Sequence, residues 1–445
     1  MDRYVYIVSL GCAKNLVDTE LAAGSLAVNG IGFADDPETA DIYFINTCAF
    51  ISPAREEAEQ FIREAVKWKR AADGRKIIIG GCLTQWDEKC EFRRKYPSID
   101  LWIPVDEAEN LAEHIASLYV DNQKKNRDIA VSTPKSLYNE NTPRLQLTPA
   151  HFAYLKIADG CNNNCSYCAI PGIRGQLRNR PAVSIIKEAE NLIKNGVKEI
   201  ILAAQDTTVY SDPETSEDLA DLIQKLDSLQ GDFQIRLLYA HPAHLKDNMI
   251  KLFKTSKHLI PYIDLPLQHI SDHILKSMNR NINACEIRRK ITELRKANPE
   301  IAIRTTFLVG YPGETEDDFN ELCNFIREIK FTRLGVFPYC TEDRTRAANL
   351  PNHVPTEIAQ ERCDHIMLIQ SEISLEHNKS LIGKTLTVIV DDIYDDCAMA
   401  RTCMDAPEID NIVEITDGQN LSPGENVKVT ITAATEFQLN AKLFL

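Results

Sequence analysis

The chain has 445 residues, of which 44% are hydrophobic and 26% charged, so its composition excludes a mainly disordered or low-complexity protein. This length predicts about three domains. The formal net charge of −15 argues against a general nucleic-acid coat protein. No run approaches the roughly 18 apolar residues that cross a bilayer, and the N-terminal apolar stretch is short for a signal peptide. We therefore expect a cytoplasmic protein without a membrane partner.

Residues 1–130 repeat one pattern, in which a short β-rich apolar run is followed by a helical period. Asn29-Gly30 and Asp73-Gly74 supply the stop signals of the first two helices. Strands that alternate with helices predict a doubly wound parallel sheet. The predicted strands are Tyr4–Leu10, Asp41–Asn46, Lys76–Ile79 and Ile99–Pro104.

Residues 131–149 are polar and contain prolines without a helical period, which predicts a linker. The alternation returns over residues 150–379, where six βα units predict a partial barrel or a long open sheet. In both architectures the chemistry belongs at the C-terminal ends of the strands. The predicted strands are Phe152–Ala158, Glu199–Ala204, Gln234–Tyr239, Tyr262–Pro266, Ile301–Val309 and Leu334–Tyr339.

Residues 380–445 change character. Alternating segments such as Thr385–Val390 and Val427–Ala433 predict a small antiparallel β-barrel. Leu381–Leu445 contains four basic and eleven acidic residues, a local net charge of −7. Such a surface repels RNA phosphates and attracts a strongly basic protein.

Three cysteines, Cys161, Cys165 and Cys168, follow the first strand of the central domain with the spacing C-x-x-x-C-x-x-C. A closed zinc site needs a fourth ligand, and only His151, ten residues upstream, could complete a Cys₃His set. A disulfide would leave one thiol over. Three thiolates with an open fourth position suit a 4Fe-4S cluster with one iron free for another ligand.

This motif, on a six-unit βα domain, resembles that of the radical SAM superfamily. The resemblance implies that Cys161, Cys165 and Cys168 hold a 4Fe-4S cluster that reduces S-adenosylmethionine (SAM) and splits it to a 5′-deoxyadenosyl radical. It also implies a partial (βα)6 TIM-like barrel, with Tyr167 packed near the adenine of SAM.

A second trio, Cys12, Cys48 and Cys82, is spread over the N-terminal domain, one cysteine after each of three predicted strands. Parallel strands bring their C-terminal ends to one edge of a sheet, so these residues can converge. Gly11 and the pair at 80–81 would let the backbone approach a bulky inorganic group. The alternative is three small buried residues at strand ends. We favour a second iron-sulfur cluster.

The order of the two trios and the terminal barrel resembles the methylthiotransferases over nearly the whole chain, and their barrel is called a TRAM domain. The resemblance implies two 4Fe-4S clusters, SAM as both radical source and methyl donor, and a low-potential electron donor. One branch of the family modifies tRNA adenosine (MiaB-type) and another modifies a ribosomal protein (RimO-type).

Several strings resemble the second branch, and the acidic barrel favours it independently. The implied substrate is the β-carbon of an aspartate in protein S-twelve of the small ribosomal subunit, with the acidic TRAM domain docking this basic protein; tRNA becomes an unlikely partner. The sequence departs from the branch at Cys340 and Arg344, where serine and glycine are more common. The strings are SLGCAKNLVDTE, CSYCAIPGIRG, AAQDTTVY, DLPLQHISDHILKSMNR and MDAPEID.

Other polar residues follow the predicted central strands and are candidates for further SAM contacts, although each also fits ordinary turn chemistry. Three arginines beyond the cysteine loop either face an acidic group, such as the target aspartate, or are solvated at the surface; the sequence favours solvation. His269 is either an acid–base residue or, as the sequence favours, a hydrogen-bonded barrel histidine. The candidate SAM contacts are Gln205, Gln268, Gly310 and Glu314, and the arginines are Arg174, Arg178 and Arg180.

Overall fold

The computed structural model describes residues 3–120, 133–135 and 137–444. The predicted domain boundary at residue 130 and the start of the predicted linker lie outside these residues. The strands are β1 (Tyr4–Ser9), β2 (Gly32–Phe33), β3 (Ile42–Thr47), β4 (Lys76–Gly81), β5 (Leu101–Trp102), β6 (Phe152–Lys156), β7 (Ala158–Asp159), β8 (Arg178–Asn179), β9 (Glu199–Ala203), β10 (Gln234–Leu237), β11 (Leu259–Asp264), β12 (Ala302–Val309), β13 (Arg333–Pro338), β14 (Thr385–Ile393), β15 (Ala398–Thr402), β16 (Ile412–Ile415), β17 (Asn426–Ala434) and β18 (Gln438–Leu443).

The α-helices fill the gaps between the strands of the first two sheets, as the alternation predicts. They are α1 (Ala13–Val28), α2 (Ser52–Ala71), α3 (Cys82–Trp86), α4 (Glu91–Lys95), α5 (Leu111–Val120), α6 (Ile170–Arg174), α7 (Ala182–Lys194), α8 (Leu219–Asp227), α9 (Asp247–Thr255), α10 (Asp272–Ser277), α11 (Ala284–Ala297), α12 (Glu316–Ile329) and α13 (Thr356–Lys379). Within the part of the chain that the structure describes, no helix is long and apolar enough to cross a membrane.

The N-terminal sheet has five parallel strands in the order β2-β1-β3-β4-β5. Successive residues of β4 point to opposite faces: Ile77 and Ile79 pack in the cluster that includes residues of α2, and Ile78 packs in the cluster that includes residues of α1 and α5. The predicted doubly wound sheet is confirmed. Its strand order reverses between β1 and β3, the place where such folds bind ligands.

The central sheet has six parallel strands in the order β13-β12-β11-β10-β9-β6, so consecutive strands along the chain are neighbours. This is the predicted partial (βα)6 barrel. The structure gives no pairing between the two edge strands, β6 and β13, among the residues it describes. The short strands β7 and β8 pair antiparallel at the base of the cysteine loop.

Strands β14-β15-β16-β18-β17 form a closed barrel. All neighbouring pairs are antiparallel except β16 and β18, which run parallel. The exception follows from topology, because β17 crosses to pair with β14 and its hairpin partner β18 then returns in the direction of β16. The predicted small β-barrel is confirmed, with this one parallel pair inside it.

Buried ion pairs dock the barrel against the central domain. Glu199 of β9 accepts hydrogen bonds from Arg236 at 2.5 Å and from Arg401 of the barrel. Arg333 lies 2.6 Å from Asp405, and Arg304 lies 3.3 Å from Asp410. The segment MDAPEID, which the sequence analysis singled out, therefore carries acidic side chains that the central domain neutralises.

Candidate metal centres

The loop of the first cysteine trio is fixed at its base by backbone contacts. Cys161 N–H donates to Gly175 O at 3.1 Å, next to the β7–β8 pair. Gly160 has φ +79°, and a Cβ built on it would lie 2.1 Å from Gln176 O. Only glycine fits here, so the backbone path by which the loop leaves the sheet is fixed.

The three thiols of this loop are partly exposed and face one another closely enough to interact electrostatically. Burial, followed by the neighbouring thiols, raises the pKa of Cys168 to about 12; burial and the nearby Asp206 raise the pKa of Cys161 to about 11. Asn163 N–H donates to Cys161 Sγ at 3.4 Å. Two thiols with raised pKa values beside a third, with a backbone donor aimed at one sulfur, fit a site that a metal cluster ionises on binding.

The position of His151 excludes the Cys₃His zinc site. His151 precedes β6, at the opposite end of the strand from the cysteine loop, and its Nε2 lies 2.7 Å from Asp391 of the barrel. Its Cβ also packs against Gly424. His151 therefore belongs to the contact between the barrel and the central domain.

Two residues beside the loop define a polar wall. Arg280 Nη1 lies 3.7 Å from Cys165 Sγ and 3.5 Å from the Tyr167 hydroxyl. Tyr167 packs against a small buried cluster that contains Met278 and Tyr311. A cavity of about 290 Å³, lined by Cys165 and Cys168 among others, opens on the side of the loop that faces the N-terminal domain.

The sequence analysis missed Asp206, which follows β9 and faces the loop. Its Oδ2 accepts hydrogen bonds from Asn163 Nδ2 at 2.6 Å and His244 Nδ1 at 2.8 Å, and its Oδ1 accepts two from Thr208. Asp206, His241 and His244 hold their ligand atoms within 4.8 Å of one another, a donor set that suits a metal ion. However, both carboxylate oxygens are already engaged. Burial and the positive charge of Arg280 also lower the pKa of His241, to about 2. We interpret the three residues as a hydrogen-bonded cluster that supports the cysteine loop through Asn163.

The predicted SAM contacts lie at the expected strand ends, but their contacts in the structure are internal to the fold. Gln205 Nε2 donates to Asp159 Oδ1 at 2.5 Å. Gln268 has φ +72° and bridges to β12 through its backbone. A Cβ on Gly310 would lie 2.3 Å from Ala359 Cβ of α13, and Glu314 pairs with Arg362 at 2.8 Å. With Tyr167, these residues stay predictions as SAM contacts.

The second trio converges at the switch point of the N-terminal sheet. Cys12 precedes α1, Cys48 directly follows β3, and Cys82 opens α3 directly after β4. Strands β1, β3 and β4 are adjacent and in register, so the three loops leave the same edge. A Cβ on Gly11 (φ +93°) would lie 2.9 Å from Cys48 Cβ, and one on Gly81 (φ +86°) 2.3 Å from Asn46 Oδ1. The glycines keep open a cradle that any side chain would fill.

The three thiols of the second trio interact and have unequal environments. Burial raises the pKa of Cys82 to about 12 and also raises that of Cys48. Desolvation opposes ionisation of Cys12, but Lys14, Arg174 and two backbone N–H groups outweigh it and lower its pKa. The buried Cys82 Sγ accepts a hydrogen bond from Arg174 Nη2 at 3.3 Å. This donor set fits a thiolate-bound cluster better than three unrelated core residues.

The predicted solvation of the three arginines is wrong. Arg174 and Arg180 are only 1% exposed, and Arg178 is half-buried. Arg180 pairs with Glu188 at 2.6 Å and binds the carbonyl of Lys156. Each charge is buried because a carboxylate or carbonyl is supplied from another element, and a single sequence does not reveal such partners.

His269 is fully buried, and its Nδ1 accepts a hydrogen bond from Ser271 N–H at 3.0 Å. Burial lowers its pKa to about 3, so the ring is neutral. These contacts match the structural role that the sequence favours for this histidine.

Comparison with known families agrees with the three-part architecture. The Radical SAM superfamily matches residues 155–326, the TRAM domain matches residues 382–443, and the uncharacterized protein family UPF0004 matches residues 4–104. Relatives described as ribosomal protein uS12 methylthiotransferase RimO match nearly the full chain. The relative from Desulforamulus reducens is 41% identical over 98% of both chains, and that from Heliobacterium modesticaldum is 40% identical over 98% of this chain and 94% of its own. The chain belongs to the RimO family of radical SAM methylthiotransferases.

Membership in this family makes the chain a radical SAM enzyme and implies one 4Fe-4S cluster and SAM. Solved structures show the fold alone. The radical SAM methyltransferase TsrM from Kitasatospora setae has a TM-score of 0.55 at 14% identity, over 78% of this chain and 77% of its own. The cobalamin-dependent radical SAM enzyme OxsB has a TM-score of 0.52 at 14% identity, over 83% of this chain and 56% of its own.

Proposed function

We propose that this RimO-family enzyme adds a methylthio group to the β-carbon of an aspartate in ribosomal protein uS12, with two 4Fe-4S clusters and with SAM as radical source and methyl donor. The observation that carries the proposal is the presence of two separate cysteine trios. One lies on the central domain, where Gly160 fixes the base of its loop, and the other on the N-terminal domain, where Gly11 leaves room beside Cys48. The substrate is taken from the relatives described as ribosomal protein uS12 methylthiotransferases.

When bound, the clusters and SAM supply a carbon radical strong enough to remove hydrogen from an unactivated C–H bond, and a sulfur to replace it. Cys161, Cys165 and Cys168 would hold the first cluster, and residues 161–168 offer it three thiols. Arg280 and Asp206 line the same loop and present one positive and one negative group to a zwitterionic cofactor.

The second trio holds the auxiliary cluster, and the structure explains how the two sites stay together. Glu342, in the loop after β13, accepts a hydrogen bond from Ser52 N–H at 2.6 Å and pairs with Arg55 at 2.7 Å. Ser52 and Arg55 belong to α2, which follows the loop of Cys48. The contact ties the central domain to the segment that carries an auxiliary ligand.

The barrel supplies a docking surface for a basic protein. Two of its acidic residues, Asp405 and Asp410, form ion pairs with arginines of the central domain. The net charge of −7 therefore overstates the negative charge that the barrel surface exposes. The β14–β15 hairpin exposes three acidic residues, Asp392 near the end of β14 and Asp395 and Asp396 in the turn. This acidic hairpin would attract a basic ribosomal protein and repel RNA phosphates.

A competition experiment tests the substrate. Anaerobically reconstituted enzyme, with SAM, reductant and sulfide, is offered purified uS12 and unmodified tRNA together, and both are analysed by mass spectrometry. We expect a methylthio mass gain on an aspartate of uS12. The same gain on tRNA would support methylthio transfer but overturn uS12 as the substrate. SAM cleavage without either product would overturn both the substrate and the methylthio transfer.

The docking role of the acidic hairpin has a separate test. The triple variant Asp392→Asn, Asp395→Asn and Asp396→Asn is expected to raise KM for uS12 severalfold at low salt while kcat stays unchanged, because only encounter is weakened. The exposed acids Glu56, Glu57 and Asp73 of the N-terminal domain, changed to their amides, provide a charge-matched control. Equal KM values for uS12 in the two triple variants would show that the acidic hairpin of the barrel has no specific role in docking.

A further inference from the structure

Arg174 is the last residue of α6 and lies between the two cysteine sites. Its Nη1 donates to Asp18 Oδ2 at 2.6 Å and to Asp159 Oδ2 at 3.0 Å. Its Nη2 donates to Asn15 Oδ1 at 3.0 Å and to Cys82 Sγ at 3.3 Å. One guanidinium therefore contacts helix α1 of the N-terminal domain, the residue before the radical SAM loop, and a thiol of the second trio.

The partners of Arg174 form a buried set of charges. Asp18, Asp159 and Lys156 are each no more than 5% exposed, and Lys156 pairs with both carboxylates. Two carboxylates thus balance two cations away from bulk water, where electrostatic interactions are stronger.

We propose that Arg174 sets the reduction potential of the auxiliary cluster, through its hydrogen bond to Cys82 Sγ and a charge that Asp18 and Asp159 hold in place. The inference rests on the proposed function, since it requires that Cys12, Cys48 and Cys82 hold a 4Fe-4S cluster. It concerns a positioning residue of the central domain that acts on a ligand of the N-terminal domain.

The physical reason is the charge that the cluster gains on reduction. An added electron makes the group more negative, so a nearby cation and an N–H···S bond stabilise the reduced form more than the oxidised form. A donor that is buried, shared by two carboxylates and aimed at a thiolate cannot move away when the charge changes. Arg174 should therefore raise the potential of the auxiliary cluster.

Arg174 also couples this site to the radical SAM pocket. Asp159 accepts from Arg174 on Oδ2 and from Gln205 Nε2 and Gly160 N–H on Oδ1. Gly160 directly precedes Cys161. The same carboxylate therefore orients the tuning cation on one side and the cysteine loop on the other.

Redox titration followed by EPR tests the proposal on the full-length chain. Alanine replaces Cys161, Cys165 and Cys168 in all samples, so that the auxiliary cluster is the only expected signal. Arg174→Gln should lower the ratio of reduced to oxidised cluster about tenfold at the midpoint of the parent, a shift of about 59 mV for one electron. Arg174→Lys keeps the positive charge but loses the forked donors of the guanidinium. Its midpoint potential should lie between those of the parent and Arg174→Gln.

Arg178→Gln is the matched control. Arg178 lies four residues along the chain and 3.9 Å from Asp159, and its Nη2 donates to the backbone carbonyl of Arg174. The midpoint of this variant should equal that of the parent, because Arg178 makes no hydrogen bond to a cysteine of the second trio among the described contacts.

Asp18→Asn gives a test in the opposite direction and keeps the proposal falsifiable if Arg174→Gln does not assemble. Without the Asp18 charge the guanidinium is less compensated, so the midpoint should rise above that of the parent. An unchanged midpoint potential in Arg174→Gln would overturn the inference. If Arg174→Gln does not assemble the cluster, unchanged midpoints in both Asp18→Asn and Arg174→Lys would overturn it. Absence of iron and sulfide from the parent itself would instead overturn the proposed auxiliary cluster.

Discussion

The two cysteine trios are built in different ways. Cys161, Cys165 and Cys168 lie within eight residues on one loop, and backbone contacts at the base of that loop fix its path. Cys12, Cys48 and Cys82 lie 36 and 34 residues apart, and only the register of three neighbouring strands brings them together. The first site is a local structure, and the second is a product of the fold.

This difference determines what each site depends on. The radical SAM loop needs its own backbone and Gly160, so damage in the N-terminal domain should leave it intact. The auxiliary site needs an ordered sheet, two glycines with positive φ, and Arg174 from the neighbouring domain. Variants that separate the two sites test this contrast directly.

The largest effects are expected from single ligands. Cys165→Ala should abolish SAM cleavage and remove about half of the iron, because one of the two proposed four-iron clusters would be lost. Cys82→Ala should remove a similar share of iron but retain formation of 5′-deoxyadenosine, while methylthio transfer stops. Iron and sulfide analysis measures cluster content, chromatography of the SAM products measures SAM cleavage, and mass spectrometry of uS12 measures methylthio transfer.

Two results would contradict the assignment of two independent cluster sites. If Cys82→Ala lost SAM cleavage as completely as Cys165→Ala did, the second trio would be part of the radical-generating site. If either variant kept its full iron content, that cysteine would not be a ligand.

Glycine substitutions should separate the sites with smaller effects. Gly81→Ala places a Cβ 2.3 Å from Asn46 Oδ1, and Gly160→Ala places one 2.1 Å from Gln176 O. Both glycines have positive φ, which costs an alanine about 1–2 kcal/mol before the clash is counted. Gly81→Ala should lose auxiliary iron and keep SAM cleavage, and Gly160→Ala should lose SAM cleavage and keep auxiliary iron.

Gly74→Ala is the matched control for this pair, because Gly74 shares the φ of +86° with Gly81 but a Cβ there meets no atom within 4 Å. It should lower the free energy of unfolding by about 1–2 kcal/mol in thermal or denaturant unfolding and leave both iron sites filled. Loss of iron from Gly74→Ala would show that backbone strain alone, rather than the crowded cradle, empties the auxiliary site.

The same contrast explains what the sequence could predict. The alternating strands and helices and the C-x-x-x-C-x-x-C spacing are local patterns, and the sheets confirm the alternation. The second trio was predictable because each cysteine directly follows an apolar run. Arg174, Asp206 and Arg280 were not predicted as site residues, because nothing near them in sequence names their partners: Arg174 meets Cys82 across 92 positions, and Arg280 meets Cys165 across 115.

The same limit explains the misjudged arginines. Arg174 and Arg180 look like solvated surface residues in a polar stretch, yet both are buried because carboxylates from other elements neutralise them. The barrel charge was overstated for the same reason, since Asp405 faces Arg333 rather than solvent. Composition counts charges but does not show which of them face each other.

The smallest effect is expected at Cys340, which replaces the serine more common in this branch. Its thiol lies 3.5 Å from Glu342 Oε1, the same carboxylate that ties the central domain to Ser52 and Arg55. Burial and the Glu342 charge raise its pKa, which disfavours the thiolate that a metal ligand needs. Cys340→Ser should preserve the contact with Glu342, change the free energy of unfolding by less than about 0.5 kcal/mol and leave iron content, SAM cleavage and methylthio transfer unchanged. Cys48→Ser, measured beside it, should lose the auxiliary iron. A fall in iron after Cys340→Ser would make Cys340 a seventh ligand, and the auxiliary site would then be shared between two domains rather than built by the N-terminal sheet alone.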